Sequence, residues 1–284
     1  MIKNSGIKLL RARLHTRSRT GIALCLLLLP LTASADLTNG LVAYYPFDGN
    51  ASDMSGNGNH GTVNGAAPGV DRHGGAGNAY SFDGVDDYIV INNADSEFDL
   101  INEDFTFSFW INSNDSEKEQ TVLDTESSGW NGWNIRYGMT ACSNTFCLGG
   151  KGVGVASERA LLNTPPQINE WHQVVAVYSE GDTSLKGFLN GILDETTNID
   201  LSFTSGVHDV LLIGAQSTSG SRVFSGSIDE VRIYDRALSA AEVQALYDLE
   251  KPDLNPVGEM QFRPLAAGGN NSFFIKEDGS LWAF

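Results

Sequence analysis

Short apolar runs of period two, each closed by Gly, Asn or Asp, constrain this chain more than any other feature. The clearest, FTFSFWI, sets Phe105, Phe107, Phe109 and Ile111 on one face and Thr106, Ser108 and Asn112 on the other. That is the pattern of a half-buried strand. Further strands are predicted at LVAYYPF (41–47), YIVIN (88–92), WNIRYG (133–138), WHQVVAVYS (171–179), SLKGFLNG (184–191), DVLLIGA (209–215) and GSIDEVRIY (226–234). In WHQVVAVYS both faces are apolar, so this strand is expected to be covered on both sides. Asn190-Gly191 between Leu189 and Ile192 predicts a tight hairpin. Many strands without intervening helices predict an all-β antiparallel sandwich or jelly roll, and the 31 glycines supply its turns.

One helix is predicted. Ser239 followed by Glu242 makes a capping box, and Val243, Leu246 and Tyr247 share a face. The helix runs to about Leu249 and ends at Lys251-Pro252. Residues 251–264, with three prolines, read as a linker.

Charge is unevenly placed. The chain carries 18 Lys+Arg against 35 Asp+Glu, yet its first 35 residues hold six basic groups and no acid. From Asp36 onward the balance is −23, a surface that repels nucleic acid and anionic lipid. The basic stretch to Arg19, the apolar Gly21–Leu31 and Thr-Ala-Ser-Ala before Asp36 match a signal peptide, 1–35, cleaved after Ala35. About eleven apolar residues broken by Pro30 are too few to cross a ~30 Å hydrocarbon layer. The expected location is therefore secreted, extracellular or cell-surface, or else periplasmic, without membrane insertion after cleavage. Such a setting is oxidising, and Cys142 and Cys147 are expected to form a disulfide.

Six blocks now converge on a family: LVAYYPFDGNASDMSGNGNHGTVNG, AYSFDGVDDYIVI, FTFSFWIN, EWHQVVAVYSEG, LKGFLNG and GSIDEVRIYDRALSAAEVQALYD. Together they resemble the laminin-G-like jelly rolls of the concanavalin A-like lectin/glucanase superfamily. The resemblance implies two curved antiparallel sheets over a domain of residues 36–250, with the terminal helix packed on the edge. The insertion Ser127–Gly150 is less typical, and loop-borne specificity is expected there.

LAAGGNNSFFIKEDGSLWAF (265–284) resembles the opening of a regulator-of-chromosome-condensation-type β-propeller repeat, with Asp278-Gly279 turning a hairpin. A single partial blade cannot bury its own apolar face. The chain is thus expected to be the N-terminal part of a longer protein.

A calcium site is the best-supported constellation. Asp48, Asn50 and Asp53 place oxygen side chains at i, i+2 and i+5 of a Gly/Asn loop, with Asn57 and Asn59 close behind. Asp229 shares strand parity with Val231 and Ile233, so its carboxylate is expected to point into apolar surroundings and to need a partner. In laminin-G-like jelly rolls the first and last strands are neighbours, which would bring Asp229 to that loop. The alternative has Asp48 and Asp53 capping turns while Asp229 pairs with Arg232 or Arg236. A second acidic run, Asp83, Asp86 and Asp87, reads as a hairpin turn, with an extra cation contact as the alternative.

The superfamily's glucanases resemble E-x-D-x-x-E on a strand, and this chain has no such triplet, so no catalytic residue is assigned. Binding is the expectation. Trp130, between Gly129 and Asn131, is the candidate for stacking on a ligand, whereas Trp110, Trp133 and Trp171 are expected in the core. The sequence therefore predicts a calcium-stabilised, noncatalytic recognition or adhesion module for a glycan or extracellular protein. The competing reading is a carbohydrate-binding accessory domain of a polysaccharide-degrading enzyme.

Overall fold

The computed structural model describes residues 36–92, 98, 100, 103–125, 132–139, 145–151, 159–199, 210–252, 267–268, 271–275 and 281–283. The expected leader 1–35, Trp130, Cys142 and linker residues 253–264 lie outside the described residues.

The strands are Leu41–Tyr45 (β1), Gly61–Asn64 (β2), Ala67–Val70 (β3), Ala76–Asp83 (β4), Tyr88–Asn92 (β5) and Phe105–Ser113 (β6). Next come Gln120–Asp124 (β7), Gly132–Met139 (β8), Thr145–Lys151 (β9), Arg159–Ala160 (β10), His172–Ser179 (β11) and Ser184–Leu189 (β12). Ile192–Asn198 (β13), Val210–Ile213 (β14) and Ser225–Tyr234 (β15) lead to one helix, Ala240–Glu250 (α1). Three further strands, Ala267–Gly268 (β16), Asn271–Ile275 (β17) and Leu281–Ala283 (β18), form a small sheet of their own.

All pairings are antiparallel. Sheet A runs β13-β12-β11-β6-β15-β4-β3, and sheet B runs β10-β9-β8-β7-β14-β5-β2. One edge of β15 follows β6, while its other edge serves β4 in the first half and β1 in the second. First and last strands of the sandwich are thus neighbours, as expected. Between the sheets lies an apolar core that includes Phe105, Phe107, Phe109, Val174, Trp133, Ile135, Leu211 and Ile213.

Asn190 and Gly191 both take positive φ, 51° and 77°, and turn β12 into β13. All the expected strands recur. Sequence reading did not assign β2, β3, β4, β7, β9, β10 or β13; of these, β3 (APGV) and β13 (ILDETTN) are exposed edges whose residues carry little apolar pattern.

Helix α1 keeps its capping box: Ser239 Oγ accepts from Glu242 N–H, and Glu242 accepts from Ser239 N–H at 2.8 Å. The helix packs on the outer face of sheet A, not on an edge. Val175, Val177, Phe188 and Tyr234 project outward from β11, β12 and β15, and Val243 and Leu246 cover them. Each such side chain stabilises by about 1.5–3 kcal/mol when fully buried. An edge position would leave that apolar strip in water. The both-sides-apolar β11 therefore lies between the core and α1. Trp110 is buried on this outer side, stacked on Tyr247, and Trp133 is in the core. Trp171 is only half-buried, because it precedes β11 and stands at the sheet's end.

Candidate functional site

Sheet B has a polar outward face. Along β8, Trp133, Ile135 and Tyr137 enter the core, so Asn134 and Arg136 between them point away from it. Across the ladder, Asp124 of β7 stands opposite Asn134, and Thr121 opposite Arg136. On β9, Gly149 faces Asn134 and Cys147 faces Arg136, while Leu212 of β14 faces Asp124. Hydroxyl, carboxylate, amide and guanidinium thus share one strip. All four side chains are buried, Thr121 at 0% and Asn134 at 2% exposure. Among the described residues, Thr121 Oγ1 and Asn134 Oδ1 have no hydrogen-bond partner, and such buried polar atoms are costly unless satisfied.

One end of the strip is anchored by charge. Arg136 Nη1 lies 3.1 Å from Glu119, and Nε of the exposed Arg222, in the β14–β15 connection, lies 2.7 Å from the same carboxylate. At the other end, Trp130 falls in the seven residues that join Asp124 to Gly132, outside the described residues. Cys142 belongs to the β8–β9 connection and also lies outside them, whereas Cys147 is fully buried in β9. Sequence reading missed Asp124, Asn134 and Arg136. For Asn134 and Arg136 the signal was present as the polar half of WNIRYG, which marks a face but cannot say what covers it.

The Asp48–Asn59 loop holds itself together without a cation. Asp53 accepts the N–H groups of Tyr44 (3.0 Å), Ser55 (2.9 Å), Gly58 (3.1 Å) and Asn59 (2.9 Å), and the Ser55 hydroxyl at 2.8 Å. These bonds outweigh its burial and hold its carboxyl below the usual range. Asn50 accepts Ser52 N–H at 2.8 Å, and Asn59 turns its amide nitrogen to Val42 O at 3.3 Å. Asp48 is exposed. N–H dipoles aimed at Asp53, and an amide NH₂ in place of a carbonyl at Asn59, do not fit a Ca²⁺ ligand set.

Asp229 is buried, as expected, but on the opposite side of the sheet. The register of β15 against β6 shifts between Asp229 and Arg232, with Glu230 at φ 51°. This bulge reverses the parity. Ile228, Val231 and Ile233 enter the core, whereas Asp229, opposite Trp110, faces α1. Its partner is Arg72, at 2.5 Å, rather than Arg232 or Arg236 and rather than the Asp53 loop.

A different acidic group does converge. Asp83, Asp86 and Asp87 bring carboxylate oxygens within 4.8 Å of one another at the β4–β5 turn. Asp87, the buried member, accepts Asp83 N–H at 2.8 Å. Burial pushes its carboxyl upward, with repulsion from Asp83 and Asp86 adding to the shift. Three hard oxygens in mutual repulsion fit a divalent cation better than the Asp53 loop does.

Comparison with known proteins agrees with this architecture. Residues 83–244 match the Laminin_G_3 model, described as the Concanavalin A-like lectin/glucanases superfamily. Pentraxin-related protein PTX3 of Mus musculus is 26% identical over 153 residues, which is 50% of this chain and 38% of that protein. The chain therefore spans well under half of that curated relative. Domain 4 of AbnA, an extracellular GH43 arabinanase from Geobacillus stearothermophilus solved with arabinotriose, superposes with a TM-score of 0.57 at 19% identity. The match covers 73% of this chain and 98% of that domain. The botulinum neurotoxin serotype D ligand binding domain, solved with N-acetylneuraminic acid, gives 0.57 at 16% identity, covering 75% and 52%. At these identities the likeness is one of fold. With more than half its length matched by the family model and two antiparallel sheets enclosing one core, the chain belongs to the concanavalin A-like lectin/glucanase superfamily, in its laminin-G group.

Proposed function

We propose that this chain is a noncatalytic recognition module of an exported protein, binding a glycan at the outward side of sheet B. The observation that carries the reading is the strip of Thr121, Asp124, Asn134 and Arg136, in which two buried oxygens have no partner among the described residues. Sugar hydroxyls both donate and accept, and such a mixed set suits them. The strip is offered as one part of the site, and Trp130, in the connection that follows Asp124 in sequence, as its stacking residue. The solved relatives that hold arabinotriose and N-acetylneuraminic acid lend support.

Binding is favoured over hydrolysis because Asp124 stands between Asn134 and Leu212 in the ladder. A glycosidase needs a second carboxylate across the scissile bond, about 5–9.5 Å away. The accessory-domain reading is favoured by one observation, the near-complete coverage of the arabinanase's domain 4. Calcium is proposed as a structural cation at Asp83, Asp86 and Asp87. The Cys142–Cys147 disulfide, cleavage after Ala35, and β16–β18 as the start of a propeller repeat complete the proposal.

A glycan array with the wild-type chain and Trp130→Ala tests it. Binding to a sugar class, lost in the variant with an unchanged circular dichroism spectrum, is expected. Plant polysaccharides alone on the array point to the accessory role, and an empty array overturns glycan recognition.

A further inference from the structure

Beneath the last turn of α1, five charges form one alternating chain, with Asp229, Arg232 and Glu250 buried and Arg72 and Glu230 partly so. Arg72, from the β3–β4 connection, places Nη1 2.5 Å from Asp229 and Nη2 3.2 Å from Glu230. Arg232 bridges Glu230, at 2.9 Å, and Glu250. The order is carboxylate, guanidinium, carboxylate, guanidinium, carboxylate. Both ends are acids, so full ionisation leaves one uncompensated negative charge in a buried site. Buried charges without compensation are costly.

Donors are unevenly shared along this chain. Glu250 accepts from Trp110 Nε1 at 2.7 Å and Gln173 Nε2 at 2.9 Å, and is paired by charge with Arg232. Glu230 accepts the Tyr44 hydroxyl at 2.9 Å in addition to both guanidiniums. Among the described residues, the bonds of Asp229 are those from Arg72 and from the neighbouring Glu230 N–H at 2.9 Å. Asp229, at 1% exposure, is the acid with least support for its charge. Arg72 has a second duty, since its Nε–H also donates to the Glu250 backbone carbonyl. One guanidinium thus ties the helix end to the charge chain.

We propose that Asp229 holds the one proton that neutralises this cluster, and that the cluster is a pH-set latch fastening the end of α1 to sheet A. With the proton in place the charges of the cluster balance while Arg72 holds Asp229 and the Glu250 carbonyl at once. Loss of the proton leaves a net negative charge under the helix end, beside the Glu250 carboxylate.

The groups facing Asp229 from each packed element agree. β1 contributes Tyr44; the β3–β4 connection, Arg72 and Asp71; β6, the neutral Trp110; β11, the neutral Gln173; β15, Glu230 and Arg232; and α1, Glu250. Burial pushes the Asp229 carboxyl up to about 8; Arg72 opposes this, and Glu230 and Asp71 reinforce it. A carboxyl raised in the folded state contributes stability at low pH and loses it as pH climbs toward its folded midpoint. Opening of α1 therefore rises by up to about tenfold per pH unit until that midpoint and levels off above it.

The full chain tests this directly. Carbon-13 NMR of the Asp229 carboxyl across about pH 5–10 should show a midpoint well above the ordinary carboxylate range, with amide exchange in α1, corrected for its intrinsic rate, rising over the same span. Asp229→Asn should remove that rise, and Glu250→Gln should lower the Asp229 midpoint by deleting one negative charge. A wild-type Asp229 that titrates in the ordinary range overturns the latch whether or not the variants fold. An unchanged slope in folded Asp229→Asn overturns it equally.

Discussion

Trp110 and Glu250, 140 residues apart in sequence, meet on the outer face of sheet A, where the indole Nε1–H donates to the carboxylate at 2.7 Å. Trp110 belongs to the central strand β6, and Glu250 is the last residue of α1. Tyr247 stacks on the same indole with ring centroids 5.8 Å apart, and the Arg72 guanidinium sits 5.1 Å from it. The helix end is thereby fixed by aromatic, ionic and hydrogen-bonding contacts at once.

Glu250→Ala leaves the buried Trp110 N–H and Gln173 amide without their acceptor, while Arg232 keeps Glu230. Leaving a buried donor unsatisfied costs about 1–3 kcal/mol. Urea unfolding should show that loss, with Glu250→Gln milder because the amide oxygen still accepts from Trp110. Equal stability of Glu250→Ala and wild type would refute this account of the helix end.

On the acid side, Glu242 governs a separate window. The hydrogen bond from Arg236, with those from Ser239, pulls its carboxyl down to about 2, against an ordinary 4.5. A depressed carboxyl contributes stability above its unfolded pKa and loses it as pH falls through the folded one. Melting temperature should therefore drop between about pH 5 and pH 2 in the wild type, and less steeply in Glu242→Gln. Parallel curves would assign acid unfolding to other carboxylates, such as Asp53 and Asp71, whose ranges are also lowered.

Ser239→Ala removes the hydroxyl acceptor of the capping box, which costs about 1 kcal/mol. Thermal or chemical denaturation should report it, and Ser239→Asp should restore most of the loss, since Asp is also a good N-cap.

Gly191→Ala is expected to act twice. Its φ of 77° disfavours any L side chain, and a Cβ there would lie 2.9 Å from the Cβ of Tyr247. The substitution should destabilise the chain by more than the ~1 kcal/mol typical of a strained turn alone. Comparison with Gly74→Ala separates the two effects, since Gly74 has a φ of 85° and open space around it.

For the cation, calcium should raise the melting temperature of the wild type and not that of Asp86→Asn. Asp53→Ala should lower the baseline, because four N–H groups lose their acceptor, yet keep the calcium response. A response abolished by Asp53→Ala and retained in Asp86→Asn would return the site to the first loop.

Much of the sandwich was legible because its signals are local. Phe105–Ile111 declares its faces by alternation, Asn190-Gly191 accepts left-handed backbone, and Ser239 with Glu242 closes a capping box within one turn. Edge strands such as β13 were not legible, since an exposed strand needs no apolar pattern. The polar strip of sheet B was half legible: Asn134 and Arg136 alternate visibly, but their pairing with Asp124 and Thr121 depends on strands that meet only in the fold.

The sequence by itself determined an antiparallel sandwich, its principal hairpin and its helix, because each rests on periodicity or on contacts a few residues apart. Tertiary structure alone decided where Asp229 points. Alternation assigned it to the core side, but β15 must follow β6 on one edge while serving both β4 and β1 on the other. The register shift falls at Glu230, a residue without the glycine that usually marks positive φ. One residue of slip moved a buried carboxylate from an expected cation loop to Arg72, and so set the charges beneath α1.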